Sequence, residues 1–300
     1  MSESHPFFLK SDHIIGVFSP SSYVTEDEIG PGIKALEEAG YRVKVHPQTC
    51  ARHNQAAGTS EEKCAAFHEL VADPEVDIIW ASAGGNRALH WIKQIDWDLV
   101  QRAGKPVIGY SDVTVLLNAL YAKTGRSGWH APMMKHMGDL DTQTLDILRT
   151  QYSVLALKEI KTITEVSDIA TGPLIGGNLS AYLALAGTEY FPDMAGKILL
   201  IEDIHEELSR IDRALAQITL LPGFDGLQAI VIGAMEKLTD NSAKTFGFTL
   251  EDILKEHFGG LDIPVIYNAP FGHILPNSAI PIGAQVQLDI LKKQITVPPG

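Results

Sequence analysis

Short apolar runs alternate with segments of helical periodicity along the first half of the chain. The runs have the length of buried strands, and turn-forming residues bound most of them. Four strands are predicted in this way: HIIGVFS (13–19), YRVKVHP (41–47), VDIIWASA (76–83) and PVIGY (106–110). Strands separated by helices of ordinary length are typical of parallel βαβ units, so the pattern predicts an α/β fold with a parallel sheet.

Helix signals fill the segments between these strands. Ile33 and Leu36 share one apolar face of the first predicted helix. TSEE (59–62) has the sequence of a capping box, which predicts the start of a second helix. RALHWIKQI (87–95) is predicted to be helical, and a further helix follows Ser111.

Three of the predicted strands end in unusual turns. The turns are SPSS (19–22), GGN (84–86) and YSD (110–112). In open parallel sheets, ligand sites gather at the carboxyl ends of the strands. We therefore expect these three turns to border a ligand site.

The second half of the chain differs in pattern. KEIKTITEVSDIATG (158–172) is polar and predicts a connection between domains. Strands are predicted at 197–203, 227–235 and 263–270, helices at 178–187, 206–220 and 249–258, and further strands within 280–297. The pattern thus predicts an N-terminal domain (1–160), a linker (161–171) and a mixed α/β C-terminal domain (172–300).

The amino-acid composition and the net charge favour some classes of binding partner over others. Apolar residues make up 45% of the chain and charged residues 20%, as in ordinary globular proteins. The net charge of −13 argues against a nucleic-acid partner, because phosphate binding needs clustered Lys and Arg. No apolar run approaches the roughly 20 residues of a membrane helix, so no membrane partner is expected. A small molecule or peptide fits this composition better.

The thiols and the N-terminus favour a cytoplasmic protein. Cys50 and Cys64 are too few for a disulfide framework, which indicates a reducing compartment. The first residues, MSESHPFFLKSDH, lack the basic and apolar segments of a signal peptide. Neither the cysteines nor HEE (205–207) has metal-ligand spacing, and no P-loop is present. No metal and no cofactor are therefore expected.

Three side chains are candidates for nucleophilic chemistry, and each has an ordinary structural explanation. Ser111 could be a helix N-cap or a nucleophile raised at a sharp strand-to-helix turn. His273 lies in a Pro- and Gly-rich loop and could be a general base or a solvated residue. Glu202 ends an apolar strand and could orient that histidine or pair with Arg210 or Arg213.

The Gly84-Gly85 turn is a fourth candidate. Its backbone N–H groups could form half of an oxyanion hole, or it could be a simple turn. The chain order Ser111, Glu202, His273 makes a hydrolytic triad plausible. An α/β-hydrolase is disfavoured, because its elbow has glycine two residues after the serine, where this chain has Val113.

Seven blocks in order resemble the LD-carboxypeptidase family, the S66 serine peptidases. The blocks are SPSS (19–22), SAGGNRALHWI (82–92), VIGYSDVTVLL (107–117), HAPM (130–133), GPLIGGNLSAYLALAGT (172–188), LLIEDIHEELSRIDRAL (199–215) and FGHILPNSAIPIG (271–283). They run along most of the chain, and their joint order is far more specific than any single block.

The resemblance implies a role for each candidate. Ser111 matches the family nucleophile, His273 its general base and Glu202 the residue that orients the base. The oxyanion hole would use the backbone N–H groups of Gly85 and Asp112. The implied fold is a Rossmann-like N-terminal domain with a smaller C-terminal domain and the active site between them. Members of the family are typically homodimers.

The resemblance also implies a reaction. The usual family member releases the terminal D-alanine of the murein tetrapeptide during cell-wall recycling in the cytoplasm. A branch of the family, the microcin C immunity peptidases, cleaves a peptidyl-nucleotide instead, and Trp91, Trp129 and Tyr110 are the aromatic residues to consider for an adenine. A peptide-binding relative without turnover is a third alternative.

The chain departs from the family pattern at two positions. Ala83 stands where an arginine often precedes the glycine pair, and Ile274 where some members carry a polar residue. These changes concern specificity more than the triad. Asn86 and Arg87, beside the glycine pair, are then the candidates for binding substrate. The lack of an obvious insertion favours the murein substrate over the peptidyl-nucleotide.

Overall fold

A computed structural model describes residues 6–139, 142–150, 154–164, 166, 169–241 and 243–297. The strands in this part of the chain are β1 (Ile14–Phe18), β2 (Arg42–Val45), β3 (Ile78–Ala81), β4 (Val107–Gly109), β5 (Gly128–His130), β6 (Val154–Ala156), β7 (Lys161–Thr162), β8 (Ile169–Asn178), β9 (Ile198–Ile204), β10 (Ala229–Glu236), β11 (Val265–Tyr267), β12 (Ile280–Ile282), β13 (Gln285–Asp289) and β14 (Gln294–Thr296). The α-helices are α1 (Glu26–Glu38), α2 (Ser60–Ala72), α3 (Trp97–Ala103), α4 (Thr114–Thr124), α5 (Thr142–Arg149), α6 (Leu179–Leu183), α7 (Leu208–Thr219) and α8 (Leu250–Phe258). None of the helices described is long and apolar enough to cross a membrane.

The first sheet has the strand order β12-β5-β4-β3-β1-β2. Strands β1 to β5 are parallel, and their order 2-1-3-4-5 is a doubly wound arrangement that reverses direction beside β1. The parallel α/β sheet predicted for this half is confirmed. Its reversal point lies where β1 and β3 end, next to two of the three unusual turns.

Local signals fix the helices around this sheet. The predicted capping box is present, since the Thr59 side chain accepts from the Glu62 backbone N–H and the Glu62 side chain accepts from the Thr59 N–H. The helix expected over 87–95 is instead two short 3₁₀ turns, Ala88–His90 and Ile92–Gln94. Between them Trp91 is almost fully buried, and its indole donates to the carbonyl of Pro20. This tertiary contact accounts for the break in the helical pattern.

The second sheet has the strand order β6-β14-β13-β8-β9-β10-β11-β7. Its four central strands, β8 to β11, are parallel, and antiparallel strands extend both sides. The range expected to be a linker, 161–171, contains β7 and the first residues of β8. Strand β6 lies before residue 160 and pairs with β14 in this sheet. The domain boundaries stay a prediction.

One strand of the second half returns to the first sheet. Ile280 pairs with His130 and Ile282 with Gly128, so β12 lies antiparallel against β5. The segment between β11 and β12 therefore runs from the second sheet to the first. This segment carries His273, and its two anchored ends hold that residue between the sheets.

A buried hydrogen-bond network ties α4 to the second sheet. The Asn118 amide accepts from the backbone N–H of Gly176 and donates to its carbonyl, at 2.9 and 2.8 Å. The hydroxyl of Thr114 accepts from the Asn178 N–H at 3.0 Å. Since α4 begins at Thr114, just after the serine turn, these bonds fix that turn relative to the end of β8.

Candidate active site

The turns after β3 and β4 lie against each other. A Cβ atom placed on Gly84 would lie 2.9 Å from the Cβ of Ser111 and 3.0 Å from its Oγ. The next glycine, Gly85, has a φ of +143° and packs against Ser21 and Ser22 of the turn after β1. Any side chain at Gly84 would displace the serine. The three strand-end turns predicted to border a ligand site therefore do meet at one place.

Ser111 has a backbone conformation that L-residues rarely adopt. Its φ is +61°, in the left-handed region. It is the first residue of a 3₁₀ turn, Ser111–Val113, and the N-cap positions of this turn and of α4 belong to Tyr110 and Val113. The N-cap explanation of Ser111 thus finds no support. A strained residue at the sharp turn from strand to helix is the arrangement that raises a nucleophile above its sheet.

This strain predicts a difference between two variants that both lack the hydroxyl. Ser111→Gly is expected to be more stable than Ser111→Ala by about 1 kcal/mol, because glycine adopts positive φ without a Cβ clash. Urea unfolding at neutral pH measures the difference. The exposed Arg213 in the middle of α7 is the control position, where glycine should be the less stable of the same two substitutions by about 1 kcal/mol. An alanine variant as stable as the glycine variant at position 111 would contradict strain there.

A carboxylate and an imidazole form the second half of the site. Glu202 lies in β9 with no exposed surface, and its Oε2 is 2.7 Å from Nδ1 of His273. Burial raises the pKa of the Glu202 carboxyl, while the hydrogen bond and charge of His273 oppose that rise. The bond leaves the other ring nitrogen, Nε2, to face a further partner.

A glycine makes the contact between these two groups possible. Gly272 has a φ of +108°, and a Cβ there would lie 2.8 Å from Oε2 of Glu202. Its N–H donates to the Asn277 side chain at 2.9 Å, which fixes the loop. A side chain at residue 272 would push against the carboxylate that holds the imidazole.

Tyr110 joins the two halves of the site. The centroid of its ring lies 4.9 Å from that of His273. Because Tyr110 directly precedes Ser111, the histidine loop adjoins the serine turn. The structure therefore brings the three triad candidates, Ser111, Glu202 and His273, into one region between the two sheets.

Sequence reasoning missed a buried network beside Glu202. Asp203 is 3% exposed, and its Oδ1 accepts from the Asn178 amide at 2.9 Å while Oδ2 accepts from the Ser180 hydroxyl at 2.7 Å. These bonds fix the ends of β8 and β9 next to the carboxylate. The signal in the sequence was the two polar residues Asn178 and Ser180, which follow GG (176–177) at the end of an apolar strand.

The predicted substrate-binding residues lie at the exposed rim of the serine turn. Asn86 and Arg87 are exposed, and the Arg87 backbone N–H donates to Oγ of Ser21 at 2.7 Å. Asp112 is anchored instead, since its carboxylate accepts from the Ala88 N–H at 2.9 Å. No group of three or more His, Cys, Asp or Glu side chains within the described ranges could hold a metal ion.

Two of the aromatic residues considered for adenine are inaccessible. Trp91 and Trp129 are each 1% exposed, and their indole N–H groups donate to backbone carbonyls. Tyr110 is 7% exposed and faces His273. These three residues therefore provide no open stacking surface.

The arrangement has the parts of a nucleophilic hydrolase. A serine hydroxyl stands at a strained turn, the Gly84 turn packs against it, and a buried carboxylate holds an imidazole nearby. Such a set can activate a hydroxyl and stabilise an oxyanion.

The sequence matches both domains of one peptidase family. Residues 15–131 match the LD-carboxypeptidase N-terminal domain, and residues 171–288 match the LD-carboxypeptidase C-terminal domain. The murein tetrapeptide carboxypeptidase of Pseudomonas aeruginosa is 30% identical over 93% of this chain and 94% of that protein. The probable murein peptide carboxypeptidase of Bacillus subtilis is 29% identical over 98% and 94%. The microcin C7 self-immunity protein MccF of Escherichia coli is 26% identical over 99% and 97%.

Solved structures share the fold along nearly the full length. An MccF-like protein from Bacillus anthracis superposes with a TM-score of 0.84 at 27% identity, covering 98% of this chain and 99% of that one. A muramoyltetrapeptide carboxypeptidase from Oxalobacter formigenes gives a TM-score of 0.83 at 27% identity, covering 94% and 97%. The similarity thus includes both sheets and the region between them.

Proposed function

Because this chain belongs to the LD-carboxypeptidase family, we propose that it is a serine carboxypeptidase that hydrolyses the amide between an L-centre and a terminal D-residue. Ser111 is the nucleophile, His273 the general base and Glu202 the group that orients the base. The observation that carries this proposal is the 2.7 Å contact between Glu202 and His273 beside the strained Ser111 turn.

Each group has one task in the reaction. His273 takes the proton of the Ser111 hydroxyl as Oγ forms a bond to the scissile carbonyl carbon. The C–N bond then breaks, and the D-residue amine leaves with the proton from His273. Water attacks the acyl-enzyme and gives its proton to the same imidazole, which returns it to Ser111. Glu202 keeps Nδ1 protonated, so that Nε2 is the basic atom throughout.

The backbone of the two adjoining turns supplies the oxyanion hole in this mechanism. The N–H groups of Asp112 and Gly85 are the donors, because their turns meet at Ser111. The position of Gly84 supports this assignment. A Cβ atom placed on Gly84 would lie 3.5 Å from the backbone nitrogen of Asp112, so the two turns pack closely at this point. Donors fixed in this way before reaction stabilise the charge without reorganising.

A cleft beside the histidine loop is the proposed place for the peptide. It has a volume of about 390 Å³, and its lining includes Lys158, Met235, Glu236, Leu250, Tyr267 and Ile274. Ile274, the residue that directly follows His273, is part of this lining. The mixture of apolar side chains and both signs of charge suits a short peptide that carries ammonium and carboxylate groups.

The proposed substrate is the murein tetrapeptide, whose terminal D-alanine would be released. The names of the Pseudomonas and Bacillus relatives support this substrate. Asn86 and Arg87 at the rim of the serine turn are proposed to contact it. A homodimer and a cytoplasmic location complete the proposal, on the family resemblance alone.

Two substrates test this function. The purified protein is incubated with L-Ala-γ-D-Glu-meso-diaminopimelate-D-Ala or with an aminoacyl sulfamoyl adenosine, and the products are separated by mass. Release of D-alanine at a rate well above that of the nucleotide substrate is the expected result. Cleavage of the nucleotide substrate alone would indicate an MccF-like reaction instead. This reaction is the second candidate because the chain is similar to MccF. Cleavage of neither would overturn the proposed reaction and favour a binding role.

A further inference from the structure

The imidazole of His273 has an aromatic neighbour as well as a carboxylate neighbour. The Tyr110 ring lies 4.9 Å from it between centroids, with 56° between the ring planes. Tyr110 is 7% exposed, so its ring is held by protein on nearly all sides. A cation within about 6 Å of a ring centroid is attracted by the ring, and more strongly where water is excluded.

The Tyr110 ring is itself fixed from behind. His130 is fully buried and contacts it at 5.7 Å between centroids, and Phe271 packs against His130 at 89° and 5.7 Å. Burial lowers the pKa of His130 to about 3, so this second imidazole stays neutral at ordinary pH. His130 therefore supports Tyr110 by packing and adds no positive charge beside His273.

The Tyr110 hydroxyl has its own partner. It lies 3.1 Å from Nδ1 of His136, which follows β5 in a 3₁₀ turn. Burial and the charge of Glu202 both raise the pKa of Tyr110, so the phenol keeps its proton and can donate in this bond. The ring is thus held at its hydroxyl as well as by its packing against His130.

We propose that Tyr110 is a positioning residue for the general base. Its ring holds the His273 imidazole in the orientation that meets Glu202, and it stabilises the imidazolium formed when the proton of Ser111 is taken. Because Tyr110 directly precedes Ser111, one residue fixes the position of the base relative to the nucleophile. This inference rests on the triad of the proposed function and adds a residue that the triad does not contain.

Among the described residues, charged and titratable groups face His273 from several elements. Glu202 approaches it from β9 and Tyr110 from the end of β4, while His130 on β5 is close enough that the charge of His273 disfavours protonation of His130. Removing the aromatic ring leaves Glu202 in place and removes the cation–π contact, the packing and the hydrogen bond of the hydroxyl to His136. A change in the pH dependence would therefore report on the ring.

Two substitutions separate the ring from its hydroxyl. Tyr110→Leu is expected to lower kcat by about 10- to 100-fold, because the base loses its fixed orientation. The acid limb of the kcat/KM profile should move to lower pH by about half a unit, since the imidazolium loses the stabilisation of the ring. Tyr110→Phe keeps the ring and should stay within about 3-fold of wild type, with an unshifted limb.

A second readout makes the test independent of the natural substrate. The rate at which a small fluorophosphonate labels Ser111 also depends on the base, so its acid limb should shift by the same amount in Tyr110→Leu. Tyr41→Leu is the matched control, because Tyr41 is 4% exposed and bonds Arg149 away from the site. This control should lose stability without moving either limb.

The outcomes distinguish this inference from the proposed function. Unshifted limbs and near-wild-type rates in Tyr110→Leu would overturn the role of Tyr110 while leaving the triad standing. A shifted labelling limb without D-alanine release would support Tyr110 and reject the substrate. Wild-type protein that is not labelled at all would reject the nucleophile and the role of Tyr110 with it.

Discussion

Replacing Ser111 by alanine is expected to abolish D-alanine release, with kcat falling by roughly four to six orders of magnitude. The hydroxyl is the atom that forms the acyl-enzyme, and no neighbouring side chain in the turn can take its place. The measurement is D-alanine release from the tetrapeptide by wild type and Ser111→Ala at equal, high enzyme concentration.

Ser11→Ala is the matched control for the Ser111→Ala variant. Ser11 is exposed and precedes β1, at the edge of the sheet opposite the carboxyl ends. Ser11→Ala should release D-alanine at the wild-type rate. Substantial release by Ser111→Ala would remove this serine from the mechanism, whatever the other residues do.

Replacing Glu202 by glutamine is expected to have the second largest effect. The kcat for D-alanine release should fall by about three to four orders of magnitude, because the amide no longer holds the tautomer of His273 in which Nε2 is basic. The shape of the site should persist, since glutamine closely matches the volume of glutamate. The exposed Glu37 in α1 provides the control, and Glu37→Gln should leave kcat unchanged.

The same variant should be more stable than wild type at neutral pH. Burial raises the pKa of Glu202 above the ordinary glutamate value of 4.5, so the folded protein holds this proton to higher pH than the unfolded chain. Between the unfolded and folded pKa values the folded state binds more protons, and the wild-type free energy of unfolding therefore falls as pH rises. Glutamine does not titrate, so the stability advantage of the variant should grow with pH above about 4.5.

Urea unfolding of both proteins across this pH range measures the advantage. An advantage that disappears in acid and grows towards neutrality would show that the buried carboxylate is kept for catalysis at the expense of stability. A constant difference at all pH values would contradict the burial effect. An unchanged kcat would separately remove Glu202 from the triad.

Hydrophobic periodicity and turn residues predicted much of the first half of the fold from the sequence alone. The alternation of short apolar runs and amphipathic segments predicted the parallel first sheet, and TSEE (59–62) predicted the start of α2, because both depend on neighbours in the chain. The strand-end turns that carry Gly84 and Ser111 were also expected to border one ligand site, since parallel strands end at one edge, and the two turns do lie together.

Contacts between distant segments were decided only by the tertiary structure. The pairing of β12 with β5 joins residues about 150 positions apart, and no local pattern specifies which strand of a mixed sheet will cross over. The break at Trp91 has the same origin, since a distant carbonyl overrides the helical pattern of 87–95.

The candidate site also combines local sequence features with contacts between distant segments. The sequence placed Ser111 at a strand end, Glu202 at the end of an apolar run and His273 in a punctuated loop, because those positions are local features of the chain. The 2.7 Å contact of Glu202 with His273 and the packing of Tyr110 against that imidazole arise only when β11 is followed by a segment that crosses to the first sheet. Local features of the sequence therefore identified the candidate reactive residues. Long-range strand pairing determined that these residues lie together.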